Sequence, residues 1–124
     1  MTTNKGWIGV DFDGTLAHYH EWRGPLEFGE PIAPMVQRVM HWLREGYEVR
    51  VFTARVTEHP DNPVDEIIDA IQDWTEYHIG VRLPVTNKKD FDMIEAWDDR
   101  AIHVHPNSGI GVGYSRVENR FIYD

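Results

Sequence analysis

The chain has 124 residues, enough for one domain with a real core and too few for two. Hydrophobic residues make up 41% and charged residues 27%, the balance of a soluble globular domain, and no apolar run reaches the length of a membrane span. The net charge of −9 disfavours broad, sequence-independent nucleic-acid binding without excluding a local basic spot, and the absence of cysteine removes disulfides, thiolate metal sites and cysteine nucleophiles. With no basic-then-apolar leader at the N-terminus, a cytoplasmic protein is expected.

No repeat or linker-like tract divides residues 1–124, which read as a single domain. Trp7 to Val10 is a short apolar run closed by Asp11-Phe12-Asp13-Gly14-Thr15, the pattern of a buried strand and its exit. Residues 16–31, with Gly24-Pro25, Gly29 and Pro31, read as a loop with room for a short hairpin. Ile32, Val36, Val39, Met40 and Leu43 follow helical spacing, with Pro34 near the start and Gly46 past the end. Glu48 to Thr53 is a second strand. Asn62 is then expected to cap a helix with Pro63 in its first turn, the stripe Val64, Ile67, Ile68, Ile71 and Trp74, and a stop at Gly80. Strands are predicted at Arg82–Thr86, Met93–Trp97 and Ala101–His105, with a Lys88-Lys89-Asp90 turn after the first. The tail from Asn107 has three glycines and no period that defines an element. Alternating strands and helices imply parallel pairing, hence an α/β sandwich.

In such sheets ligands gather beyond the carboxyl ends of the strands. Those ends carry Asp11 and Asp13, then Thr53, then the Lys88/Lys89 loop, then Asp98 and Asp99. Like charges ~5 Å apart repel by roughly 3 kcal/mol per pair at an effective dielectric near 20, so clustered carboxylates call for a proton or a cation. Oxygen ligands with no His or Cys favour Mg²⁺ over zinc. Asp11 leaves a rigid strand end and is the better nucleophile; Asp13 is placed to protonate a leaving alkoxide and later deprotonate water. Gly14 and Thr15 suit a tight phosphate-facing turn, Thr53 offers a hydroxyl, and a lysine offers a charge.

Asp11-Phe12-Asp13-Gly14-Thr15 resembles motif one of the haloacid dehalogenase superfamily of phosphohydrolases. Val51-Phe52-Thr53-Ala54-Arg55 resembles motif two, Lys89 motif three, and Trp97-Asp98-Asp99-Arg100 the paired-acid form of motif four, all in the family's order. The resemblance implies a Rossmann-like three-layer α/β sandwich with a mainly parallel central sheet. It also implies Mg²⁺ as cofactor, Asp11 as nucleophile and metal ligand, and Asp13 as acid/base with its carbonyl on the metal. Thr53 and Lys89 would bind phosphate, and Asp98-Asp99 would complete the metal site. Asp99 is preferred over Asp98 as the direct ligand and Lys89 over Lys88 as the phosphate lysine, with both reversals open. The gaps between motifs are too short for a cap domain, so the chain resembles the capless subgroup, with residues 16–30 as a flap. An open cleft suits a large or extended phosphorylated substrate, or closure by a second copy in a homo-oligomer.

Each motif alone has an ordinary reading, as an Asp-rich turn, a strand end or a surface turn; their joint order moves the weight to function. His103 and His105, with no third ligand, suit a structural role. His18, Tyr19, His20 and Trp22 lie in the flap, where substrate contact is open. Arg55 and Arg100 just past site strands fit either phosphate contact or salt bridging, and Trp42 and Trp74 fall on apolar helix faces. Besides a magnesium-dependent phosphomonoesterase, two readings stand: a non-enzymatic phosphoacceptor domain, and a phosphatase of nucleic-acid ends.

Overall fold

Residues 6–124 are described in the computed structural model of the chain. Four short strands form one parallel sheet in the order β3-β2-β1-β4: β1 (Trp7–Val10), β2 (Glu48–Phe52), β3 (Val85–Thr86) and β4 (Met93–Trp97). In register, Val10 pairs with both Val51 and Trp97, and Phe52 pairs with Thr86. The carboxyl ends of all four strands therefore fall on one rim, and the residues that follow them share it.

Strand order advances in one direction from β1 to β3, so the two crossover helices, α1 (Ala33–Arg44) and α2 (Val64–Ile79), lie on the same face. That face carries Ile8, Val10, Val49 and Val51, which join Val36 and Val39 of α1 and Ile67, Ile71 and Trp74 of α2 in one core. The opposite face carries Trp7, Gly9, Arg50 and Phe52 and holds no helix among the described residues. It is crossed instead by residues 87–92, where Asp90 accepts from Trp7 Nε1 at 2.9 Å.

Both helices end as their sequences suggest, at Gly46 and Gly80 with φ of 90° and 107°, values that favour glycine. Asn62, expected as an N-cap, instead donates its side-chain amide to the carbonyls of Arg55 and Thr57; α2 starts after Pro63 with no side-chain cap. The expected Arg82–Thr86 strand shrinks to β3. Arg82 is drawn to Asp69 and Asp73 on α2, the Leu83 N–H bonds to Thr75 Oγ1, and Pro84 has no N–H to give.

Beyond β4 the expected Ala101–His105 strand is only β5 (His103–Val104), and it lies outside the parallel sheet. It pairs antiparallel with β6 (Gly111–Ser115), which pairs with β7 (Arg120–Ile122). The tail that gave no periodic signal is thus a small meander, its glycines set by close contact: a Cβ on Gly111 would come within 2.9 Å of Ile102 Cγ2. No helix among the described residues is long and apolar enough to cross a membrane.

Candidate active site

At the carboxyl rim a cleft of about 850 Å³ opens between the strand ends, the 16–30 loop and the C-terminal meander. Asp11, Asp13, Gly14, Thr53, Arg55, Asp98 and Asp99 all line it. Lys88 and Lys89 do not line it. Asp90, next in the chain, is tied to the indole of Trp7 at the amino end of β1, the far rim of the sheet. That bond, with the Asp92 N–H and the Arg50 charge, holds the Asp90 carboxyl below its ordinary range.

The Asp11 N–H donates to the Trp97 carbonyl at 2.8 Å, locking the first acid to the end of β4 just before Asp98 and Asp99. One carboxylate oxygen from each of Asp11, Asp98 and Asp99 lies within 4.8 Å of the others. Thr15 Oγ1 sits between them, 3.4 Å from Asp11 Oδ2 and 3.3 Å from Asp99 Oδ1, and accepts the Asp99 N–H at 3.1 Å. Gly14 makes this approach feasible. Its φ is +88° and a Cβ there would lie 2.6 Å from Asp99 Oδ2. Its N–H is spent on the Ala17 carbonyl at 2.8 Å, inside the turn.

Crowding has an electrostatic consequence. Burial, then the hydrogen bond to Asp99 and the charges of Asp98 and Asp99, push Asp11 up to about 8 from 3.8, against a smaller opposing effect of the Phe12 backbone.

Asp13 points elsewhere, into a two-pronged pair with Arg55: Nε to Oδ2 at 2.7 Å and Nη2 to Oδ1 at 2.9 Å. Arg55 is only 7% exposed. Its remaining hydrogens go to the carbonyls of Gly24, Pro25 and Glu27, so all five donors of the guanidinium are used. Trp22 and Phe28 flank it, each with its ring centre 4.8 Å from Cζ. Phe12, between the two acids in sequence, is fully buried edge-on against Phe28 and Trp74. The Trp74 indole donates to Gly29 O at 3.1 Å. Arg55 and the rings of Phe12, Trp22, Phe28 and Trp74 thus hold the 16–30 loop beside Asp13.

Thr53 is 3% exposed, and its hydroxyl accepts the Arg55 N–H at 3.1 Å, leaving the hydroxyl hydrogen free to turn towards the cleft. On the flap side Tyr19, His20 and Trp22 line the same space, with Asn87 and Asn62 across from them. Arg116, in the turn between β6 and β7, was not among the residues singled out from the sequence. It reaches the cleft too, with Nη2 3.2 Å from Asp99 Oδ2. Nothing in a glycine-rich tail signalled it; only the folding of the meander back to Asp99 does.

Neither a family model nor a curated protein matches the chain. A solved structure described as that of a conserved protein coded by a locus of Bacteroides thetaiotaomicron is similar over 86% of each chain, with 22% identity and a TM-score of 0.55. At that identity the likeness speaks to the fold alone: an α/β domain with a parallel sheet.

Proposed function

We propose that the protein is a phosphomonoester hydrolase of the haloacid dehalogenase type, with a Rossmann-like core and no cap domain, using Mg²⁺ and an aspartyl-phosphate on Asp11. The observation that carries this reading is the separation of the acids: three share one point on the rim, and the fourth stands apart in the same cleft. The three oxygen donors suit a hard divalent cation and offer nothing softer, so Asp11, Asp98 and Asp99 are the residues that would hold it. When bound, the ion would neutralise charge on the phosphoryl oxygens.

In the first step a carboxylate oxygen of Asp11 forms a bond to phosphorus while the phosphorus–oxygen bond to the leaving group breaks, and Asp13, which enters this step carrying the proton it gains from water at the end of each cycle, gives that oxygen its proton. In the second, water attacks phosphorus, Asp13 takes its proton, and the Asp11 carboxylate departs as inorganic phosphate leaves. Arg55 uses one acceptor site on each Asp13 oxygen, and a second on each remains for the moving proton. Thr53 Oγ1 would donate to a phosphoryl oxygen. A phosphoacceptor domain has no task for a fourth acid held apart from the cation ligands, so the placement of Asp13 favours hydrolysis over that reading.

The test is hydrolysis of a generic aryl phosphate with and without Mg²⁺, comparing wild type and Asp11→Asn. Turnover that needs the metal and falls by about 10³-fold or more in the variant is expected. Wild-type turnover indifferent to the metal, or an active variant, would contradict the mechanism.

A further inference from the structure

A phosphoryl site needs a cation to meet the charge that the metal does not neutralise. Three arginines line the cleft, Arg55, Arg100 and Arg116, whereas Lys88 and Lys89 stay outside it. Arg55 has no donor left to offer, because its five hydrogens are divided between Asp13 and three flap carbonyls. Releasing any of them would leave a polar group unpaired at a nearly buried position.

Arg116 is placed differently. Its only side-chain bond among the described residues is to Asp99 Oδ2 at 3.2 Å, which brings the guanidinium to the edge of the acid cluster with four donors uncommitted. Its backbone is fixed. Ser115 is buried and its hydroxyl accepts the Glu118 N–H at 3.0 Å, closing the turn that carries Arg116. Gly111 and Gly113 let β6 settle against Ile102, three residues beyond Asp99. Arg100 also lines the cleft, but no side-chain contact among the described residues holds its guanidinium over the acids.

Building on the hydrolase reading, we propose that Arg116, delivered by the C-terminal meander, is the cation that receives the substrate's phosphate, in the role the sequence alone suggests for Lys89. The meander is then part of the active site, and the planar fork of arginine meets two phosphate oxygens at once.

Arg116 is exposed, so its truncation leaves the fold intact. The experiment follows aryl phosphate hydrolysis at saturating Mg²⁺ with inorganic phosphate as competitor, in wild type, Arg116→Ala, Arg116→Lys, Arg100→Ala and the double variant Lys88→Ala/Lys89→Ala. Arg116→Ala is expected to raise both KM and the phosphate inhibition constant by about 10–100-fold. Arg116→Lys should recover part of that loss, while the double lysine variant shifts either constant less than about threefold. Loss of phosphate affinity in the lysine or the Arg100 variant, with Arg116→Ala unchanged, overturns the assignment and leaves the hydrolase standing. So does an Arg116→Ala variant that alters only the Mg²⁺ concentration for half-maximal rate, because that is the signature of a residue that merely props Asp99. A wild type without metal-dependent turnover overturns the hydrolase reading itself and this assignment with it.

Discussion

Asp11 and Asp13 stand two residues apart at the end of one strand and meet opposite surroundings. Asp11 joins Asp98 and Asp99, no basic side chain among the described residues bonds to it, and its carboxyl is pushed up to about 8. Asp13 meets a buried guanidinium that takes both its oxygens. The turn makes the difference: β1 ends at Val10, the Asp11 N–H is held by the Trp97 carbonyl of β4, Phe12 packs into the core as its carbonyl closes the turn with the Leu16 and Ala17 N–H groups, and Asp13 emerges beside Arg55 and the flap. The three clustered acids share a single exposed contact from Arg116 and still call for a cation, while Asp13 has a buried guanidinium on both its oxygens, which is how a single five-residue run can serve two chemical roles.

The sharpest way to break this contrast is to neutralise the crowded acid. Asp11→Asn should cost at least about 10³-fold in turnover and yet stabilise the metal-free protein by about 1–3 kcal/mol, after discounting for the solvent that still reaches a partly buried side chain. Thermal melts alongside the rate assay check both. On the other side, Arg55→Ala should destabilise by about 3–5 kcal/mol, since it strands a carboxylate and three carbonyls. Arg55→Lys should rescue little, because an ammonium cannot span those acceptors; denaturant titration reads both variants.

Between the two sides lies Gly14. Gly14→Ala would put a Cβ 2.6 Å from Asp99 Oδ2 at a φ of +88°. It should destabilise by about 1–3 kcal/mol and weaken Mg²⁺ binding about tenfold by displacing one ligand, as calorimetry would show. The smallest effect is on pH. Unfolded, Asp11 loses its proton near 3.8, whereas folded it keeps it to about 8. Across that window the native state binds the extra proton, so stability declines as pH rises from about 4 towards 8. The difference between wild type and Asp11→Asn melts in chelator should widen over that range by about 1–2 kcal/mol and close again on adding Mg²⁺.

Much of this was legible from residue order. The β1, β2 and β4 strands and both helices follow from apolar period and stop signals, and the acids fall at strand ends because a parallel sheet collects those ends on one rim. What the sequence could not show are the choices among partners. Lys89 is expected at the site, but it does not line the cleft and the next residue, Asp90, is bound to Trp7 at the far rim. Arg55 looks available until its five donors are counted, and Asn62 looks like a cap until its amide is found on the Arg55 and Thr57 carbonyls. The meander was silent because glycines that admit Ile102 break the alternation that marks a strand.

The most direct test of the crowded side is a Mg²⁺ titration of wild type and Asp11→Asn by calorimetry, run at pH 7 in buffers of different ionisation enthalpy. The carboxyl that is still protonated at that pH must give up its proton for the ion to bind, so wild type should release close to one proton per Mg²⁺ and bind more tightly as pH rises to 9. The variant should bind more weakly and release none. Wild type that binds no Mg²⁺, or binds it no better than Asp11→Asn and without proton release, would contradict the account.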